Sequence, residues 1–200
     1  TIVSFKDEYD LLNAFFKKYI EIAPTMLTGW NVEFFDVNYL YNRAVQVVGE
    51  DVANLLSPIG RVIWSEFSKR YKIAGVSVLD YLALYKTFTF GQRSSYRLDA
   101  IGEYEVGEKK VEYEGTLNDL YENDLDKFVQ YNLQDVKLVK KIDDKLDFIE
   151  IARGLAHLGH VPYEDVMMSS RYLEGAILVY LRTNNIVAPD KSKKGENTKL

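Results

Sequence analysis

The chain has 200 residues, 47% hydrophobic and 28% charged, with a formal net charge of -5, enough for one domain with a sizeable core, or most of one and the start of a second. It has no cysteine and only two histidines, His157 and His160, which excludes a disulfide framework and a thiolate metal site and leaves a histidine zinc site poorly supplied. The acidic balance excludes a whole-chain footprint for non-specific duplex binding, no apolar run approaches the roughly 18 residues of a membrane span, and no signal peptide is visible; a soluble, cytoplasmic protein is expected.

Helical spacing of Leu11, Leu12, Phe15, Phe16, Tyr19 and Ile20, with acids in the first turn and Pro24 beyond the end, predicts a helix over 7–23. A short buried strand follows at 26–30, then a helix at 37–48 stopped by Gly49. Pro58 and Gly60 mark a turn between this helix and two extended segments, 61–67 and 71–79. Helices are predicted at 81–88 and 98–105, with a charged connection over 107–115 that has room for a short strand. Asp124 caps a long helix running to about Leu158 and ended by Gly159 and Pro162, and Ser169 or Ser170 opens a last helix to about Thr183. The polar tail from Asp190 is expected to be mobile. A boundary near Gly159 to Pro162 divides the chain into 1–160 and 161–200. Thr1 opens in what reads as mid-domain, so a fragment is expected.

On the long helix, Phe128, Tyr131, Asp135, Leu138, Ile142, Leu146 and Ile149 fall within an arc of about 80° at helical spacing. Asp135 thus lies on the apolar stripe, where an isolated charge costs several kcal/mol unless it is paired, protonated or metal-bound. Tyr131, one turn earlier, either hydrogen-bonds to it or orients a water beside it. Asp36 has a comparable ambiguity: it caps the helix that follows, or it does chemistry beside Asn31 and Phe35 at the exit of a strand. Asp80 reads as the cap of the 81–88 helix or as support for a site. Arg93, Arg97, Lys109 and Lys110 read as solvated surface or as the lining of a single-stranded DNA groove, and the clusters around Lys69 to Lys72 and Lys137 to Lys141 read as solvated faces. His157 and His160 read as helix-end residues.

NVEFFD at 31–36 and YNLQD at 131–135 together resemble the second and third exonuclease motifs of family B DNA polymerases, N-x-x-x-F-D and Y-x-x-x-D. LTGWNVEFFDVNYLYNR, SPIGRV and VSVLDYLALYKTF are similar in particular to the replicative polymerases of T-even-like bacteriophages, and SRYLEGAILVYLRTNNIVAP resembles the segment leading from the exonuclease domain into the palm. The resemblance implies an α/β fold of the ribonuclease-H-like exonuclease type, incomplete, with a mixed sheet and flanking helices, followed by the start of a helical palm-connecting segment. It implies 3′–5′ proofreading by phosphodiester hydrolysis with two Mg2+ (or Mn2+) ions. Asp36 and Asp135 would be metal ligands, Tyr131 would position the attacking water, and Asn31 and Phe35 would contact the terminal nucleotides of a single-stranded DNA 3′ end. The remainder of the polymerase and a sliding clamp are the implied partners. The family's first motif, Asp-x-Glu, occurs nowhere in the sequence, and neither does the polymerase signature D-x-x-S-L-Y-P-S. These 200 residues alone are therefore expected to be weak or inactive as a nuclease. The alternative is a non-catalytic piece that binds single-stranded DNA or docks a partner.

Overall fold

Asp7 accepts a hydrogen bond from the Asp10 amide (2.9 Å) and so starts helix α1, Glu8–Ile22, which ends where Ala23 turns left-handed ahead of Pro24. The structure, a computed structural model, describes residues 2–108 and 115–190. Strand β1, Met26–Gly29, follows, and a run of turns leads into α2, Asp36–Val47. Next come α3, Glu50–Ala53, a 3-10 turn at Asn54–Leu56, and strands β2, Val62–Ser65, β3, Arg70–Ile73, and β4, Ser77–Asp80. The rest is helical among the described residues: α4, Tyr81–Phe88; α5, Leu98–Val106; α6, Leu117–Asn123; α7, Leu125–Leu146; α8, Phe148–Gly159; a 3-10 segment at Tyr163–Met167; and α9, Ser169–Thr183.

The class is α/β, and where an incomplete mixed sheet was expected the described residues form two separate two-stranded sheets. β1 and β4 pair in parallel, with Thr28 opposite Leu79 and Gly29 opposite Asp80. β2 and β3 form an antiparallel hairpin. The extended run predicted over 71–79 breaks at Gly75, whose φ of 85° favours glycine and where an added Cβ would meet the Pro58 ring at 2.7 Å.

Alternation along β4 separates two cores. Val78 joins Phe16, Val37, Tyr41, Ala44, Leu56 and Ile73 on the side of α1 and α2. Leu79 joins Tyr81, Tyr85, Ile101, Leu138, Ile142 and Phe148 on the side of α4, α5, α7 and α8. The long helix predicted from Asp124 to Leu158 is interrupted at Asp147, which adopts φ 54° and separates α7 from α8. Ile149 therefore belongs to α8, and the apolar stripe ends on α7 at Leu146. Gly102 lets α5 and α7 approach closely, since a Cβ there would lie 2.7 Å from Leu138. Gly159 and Gly175 do the same where α8 crosses α9. The segment 109–114, with Lys109, Lys110 and the strand allowed there, and the tail over 191–200 lie outside the described residues.

Candidate active site

Both parallel strands end at the same place. β1 runs out at Gly29 beside Asp80, the last residue of β4, and in α/β folds the carboxyl ends of strands are where ligands are held. A cleft of about 1040 Å³ opens there, lined by Asn31 and Asp36 after β1, by Tyr131 and Asp135 from α7, and by Trp30 and Arg97 among others. Residues separated by about a hundred positions thus share one cavity.

Asp36 is the first residue of α2, and Phe35, at the N-cap, makes no side-chain capping bond. Asp36 thus stands one position inside the helix, where its carboxylate accepts from its own backbone amide. Its side chain is solvent-accessible, yet the cleft walls remove enough water to hold its carboxyl above the ordinary range, and the nearby charge of Asp80 pushes the same way. Asn31 adopts φ 64°, a left-handed conformation that asparagine tolerates, and its carbonyl accepts from the Phe35 amide (3.2 Å). It is both a turn residue and part of the cleft wall. Phe35 is 66% exposed and does not line the cleft.

Tyr131 and Asp135 project from consecutive turns of α7, each partly buried. Asp143, two turns further on, also reaches the cleft. Burial raises the Tyr81 phenol pKa far above its usual range, and the charge of Asp143 adds to this, so the cleft floor carries a neutral hydroxyl. Trp30 packs over Tyr81 with ring centroids 6.2 Å apart and donates from its indole nitrogen to the Tyr96 carbonyl (3.1 Å).

Asp80 lies beneath this wall, 4% exposed. It caps α4 through the amides of Leu82 (2.9 Å) and Ala83 (3.4 Å), as the sequence suggests, and also accepts from the amides of Asn31 (3.1 Å) and Glu33 (3.2 Å). The neighbouring Glu33 pairs with Arg70 of β3, whose guanidinium also lies over the Phe34 ring (5.6 Å). Burial nevertheless pushes the Glu33 carboxyl upward, with Asp80 and Glu164 adding to the shift and Arg70 opposing it.

Of the basic residues, Arg97 and Lys140 line the cleft, with Lys140 paired to Asp144 (2.7 Å). Arg93 is instead bonded to the Tyr85 hydroxyl (3.0 Å) and stacked over Tyr104 (4.1 Å). Lys69 pairs with Glu66. His157 lies in the last turn of α8 and His160 is its left-handed C-cap. Trp30, Tyr96, Arg97 and Asp143 are cleft residues that sequence reading did not assign to the Asp36 site. Of these, Arg97 alone was singled out in the sequence, as solvated surface or the lining of a single-stranded DNA groove.

Aspartate oxygens suit a hard divalent cation. Among the described residues no group of three or more His, Cys, Asp or Glu side chains stands together to hold a metal ion. Nor, among the described residues, is any helix long and apolar enough to cross a membrane.

Residues 1–101 match the family model described as DNA polymerase family B, exonuclease domain. The chain is 33% identical over 193 residues to the DNA-directed DNA polymerase of Enterobacteria phage T4, covering 94% of this chain and 22% of that protein. It is 35% identical over 191 residues to the DNA-directed DNA polymerase of Escherichia phage RB69, covering 92% and 21%. A DNA polymerase of Guinea pig cytomegalovirus (strain 22122) is 25% identical over 207 residues, covering 94% and 18%. The chain spans about a fifth of the length of these relatives. It belongs to DNA polymerase family B and carries sequence of that family's exonuclease domain.

Proposed function

We propose that this chain supplies part of a 3′–5′ proofreading exonuclease of ribonuclease-H-like fold within a replicative DNA polymerase, hydrolysing the terminal phosphodiester of a single-stranded DNA 3′ end. The observation that supports this most is the convergence of Asn31, Asp36, Tyr131 and Asp135 on one cleft at the carboxyl ends of the parallel strands. In this reading Asp36 and Asp135 provide two carboxylates toward a pair of Mg2+ or Mn2+ ions, whose remaining protein donors come from an Asp-x-Glu outside these 200 residues. Bound divalent ions would supply an activated water and stabilise the departing oxygen. Tyr131, one turn from Asp135 and lining the same cleft, orients the attacking water in this reading. Asn31 and the exposed ring of Phe35 hold the terminal nucleotides, Phe35 by stacking from outside the cleft. Arg97 adds positive charge to the cleft wall.

Residues 1–160 form the exonuclease part in this proposal, and 161–200 lead toward the palm. Leu173, Ile177, Leu178 and Tyr180 of α9 are all exposed, an apolar surface suited to packing against the remainder of the polymerase. A sliding clamp is a further proposed partner.

A second reading, a non-catalytic piece that binds single-stranded DNA or docks a partner, draws on the lack of a three-ligand cluster among the described residues. Manganese-dependent digestion of a single-stranded oligonucleotide by a chain extended upstream to include Asp-x-Glu separates the two. The exonuclease reading expects digestion by the parent and loss of it in Asp36→Ala and Asp135→Ala. Equal digestion by all three removes both residues from catalysis, and no digestion by the parent favours the second reading.

A further inference from the structure

Asp80 satisfies more than a helix cap. Oδ1 accepts from Leu82 and Ala83, the two amides that a capping residue normally serves, and also from Asn31; Oδ2 accepts from Glu33. Asn31 and Glu33 lie 49 and 47 positions earlier in the chain, in the turns that carry β1 into α2. The register explains how they reach it: Gly29 pairs directly with Asp80, so the chain leaves β1 over this carboxylate. Asn31 makes its contact while held at φ 64°, and Asp36 begins α2 only three residues after Glu33. All four of these partners are donors, and they use both oxygens.

We propose that Asp80 is a positioning residue of the exonuclease: one carboxylate fastens the 31–33 loop to the start of α4 and thereby sets where Asn31 and Asp36 stand in the cleft. The inference rests on the exonuclease reading above. Asp80 does not line the cleft. Its effect passes through the loop.

Two substitutions divide the cap from the loop anchor. Serine is a good helix cap but has a single short oxygen, so Asp80→Ser retains bonds to Leu82 and Ala83 and releases Asn31 and Glu33. Asp80→Asn keeps one acceptor and turns an NH2 donor toward whichever amides the second oxygen served. Hydrogen exchange followed by NMR on the 200-residue chain reads the anchor directly. In Asp80→Ser the amides of Asn31 and Glu33 are expected to exchange roughly tenfold faster or more, with Leu82 and Ala83 still protected. In the extended chain both variants are expected to lose roughly ten- to hundredfold in turnover at saturating oligonucleotide, with KM changed less than about threefold, because misplacing Asp36 affects chemistry more than binding spread along a cleft.

Unchanged protection of Asn31 and Glu33 overturns the proposal. Faster exchange accompanied by full turnover overturns it as well, leaving Asp80 a structural cap. An Asp36→Ala control run alongside keeps the two levels distinct: if that variant turns over like the parent, the exonuclease reading falls and takes this inference with it.

Discussion

Replacing Leu138 by alanine perturbs the helix that carries Tyr131 and Asp135. Leu138 is fully buried, and with Ile142 it is one of the two buried residues of α7. Loss of three buried carbons costs about 2.4 kcal/mol in transfer free energy. The cavity adds about 1 kcal/mol, because α5 and α7 are already in close contact at Gly102 and can relax little. A destabilisation of about 3–4 kcal/mol is expected, which lowers Tm by roughly 10 °C in a chain of this size. The same geometry predicts coupling. Gly102→Ala alone overpacks, since its Cβ would lie 2.7 Å and 2.8 Å from the two Leu138 methyl carbons and 2.9 Å from the Glu108 carbonyl oxygen. Combined with Leu138→Ala, the added methyl enters space that the leucine has left. Urea denaturation of parent, both single variants and the double variant should then give a favourable coupling of about 1 kcal/mol or more. Additivity within roughly 0.5 kcal/mol, or a Leu138→Ala cost below about 1 kcal/mol, would refute the packing on which the placement of Asp135 depends.

Asp36→Asn should stabilise the chain at neutral pH. Folding raises the carboxyl of Asp36 chiefly through burial, so the folded state binds its proton more tightly than the unfolded state does. The resulting penalty is absent below the unfolded value near pH 4, grows as pH rises from there, and is complete above the folded value. The variant's gain in Tm should accordingly vanish on acidification; a gain that persists at pH 3 contradicts the reasoning. Arg70→Ala removes the cation that opposes the upward shift of Glu33, leaving Asp80 and Glu164 nearby. Its cost, about 1 kcal/mol for this partly exposed pair, should shrink as Glu33 is protonated, and a pH-independent loss in thermal scans counts against it. Gly175→Ala would place a Cβ 2.0 Å from the Gly159 carbonyl oxygen, an overlap that outweighs the helical advantage of alanine. A destabilisation of about 1–2 kcal/mol in urea is expected, and a neutral result would show that α8 and α9 cross differently.

Much of the local structure was legible because local signals were strong. The helix at 81–88 follows an aspartate cap, and α1 lies between Asp7 and a left-handed Ala23 before Pro24. The break at Asp147 was not legible, because no glycine or proline marks it and its φ of 54° is imposed in a run that otherwise keeps helical spacing. Helix α6, absent from the predicted elements, carries a reciprocal capping box between Thr116 and Asp119 close to the charged connection. Asn31, Asp36, Tyr131 and Asp135 were singled out by the resemblance to the second and third exonuclease motifs, and all four line the cleft. Trp30, Tyr96 and Asp143 were not, since they come from three separate parts of the chain that meet at the cleft only in the folded structure. The second role of Asp80 was hidden for a similar reason: its capping role is local, whereas its bonds to Asn31 and Glu33 depend on the β1–β4 register.

Manganese binding by the extended chain, measured by calorimetry, tests most directly whether Asp36 and Asp135 serve one metal-dependent centre. The account predicts two ions bound per parent chain and at least one lost in each of Asp36→Ala and Asp135→Ala, with either loss abolishing oligonucleotide hydrolysis. Full stoichiometry and unchanged affinity in both variants would contradict it.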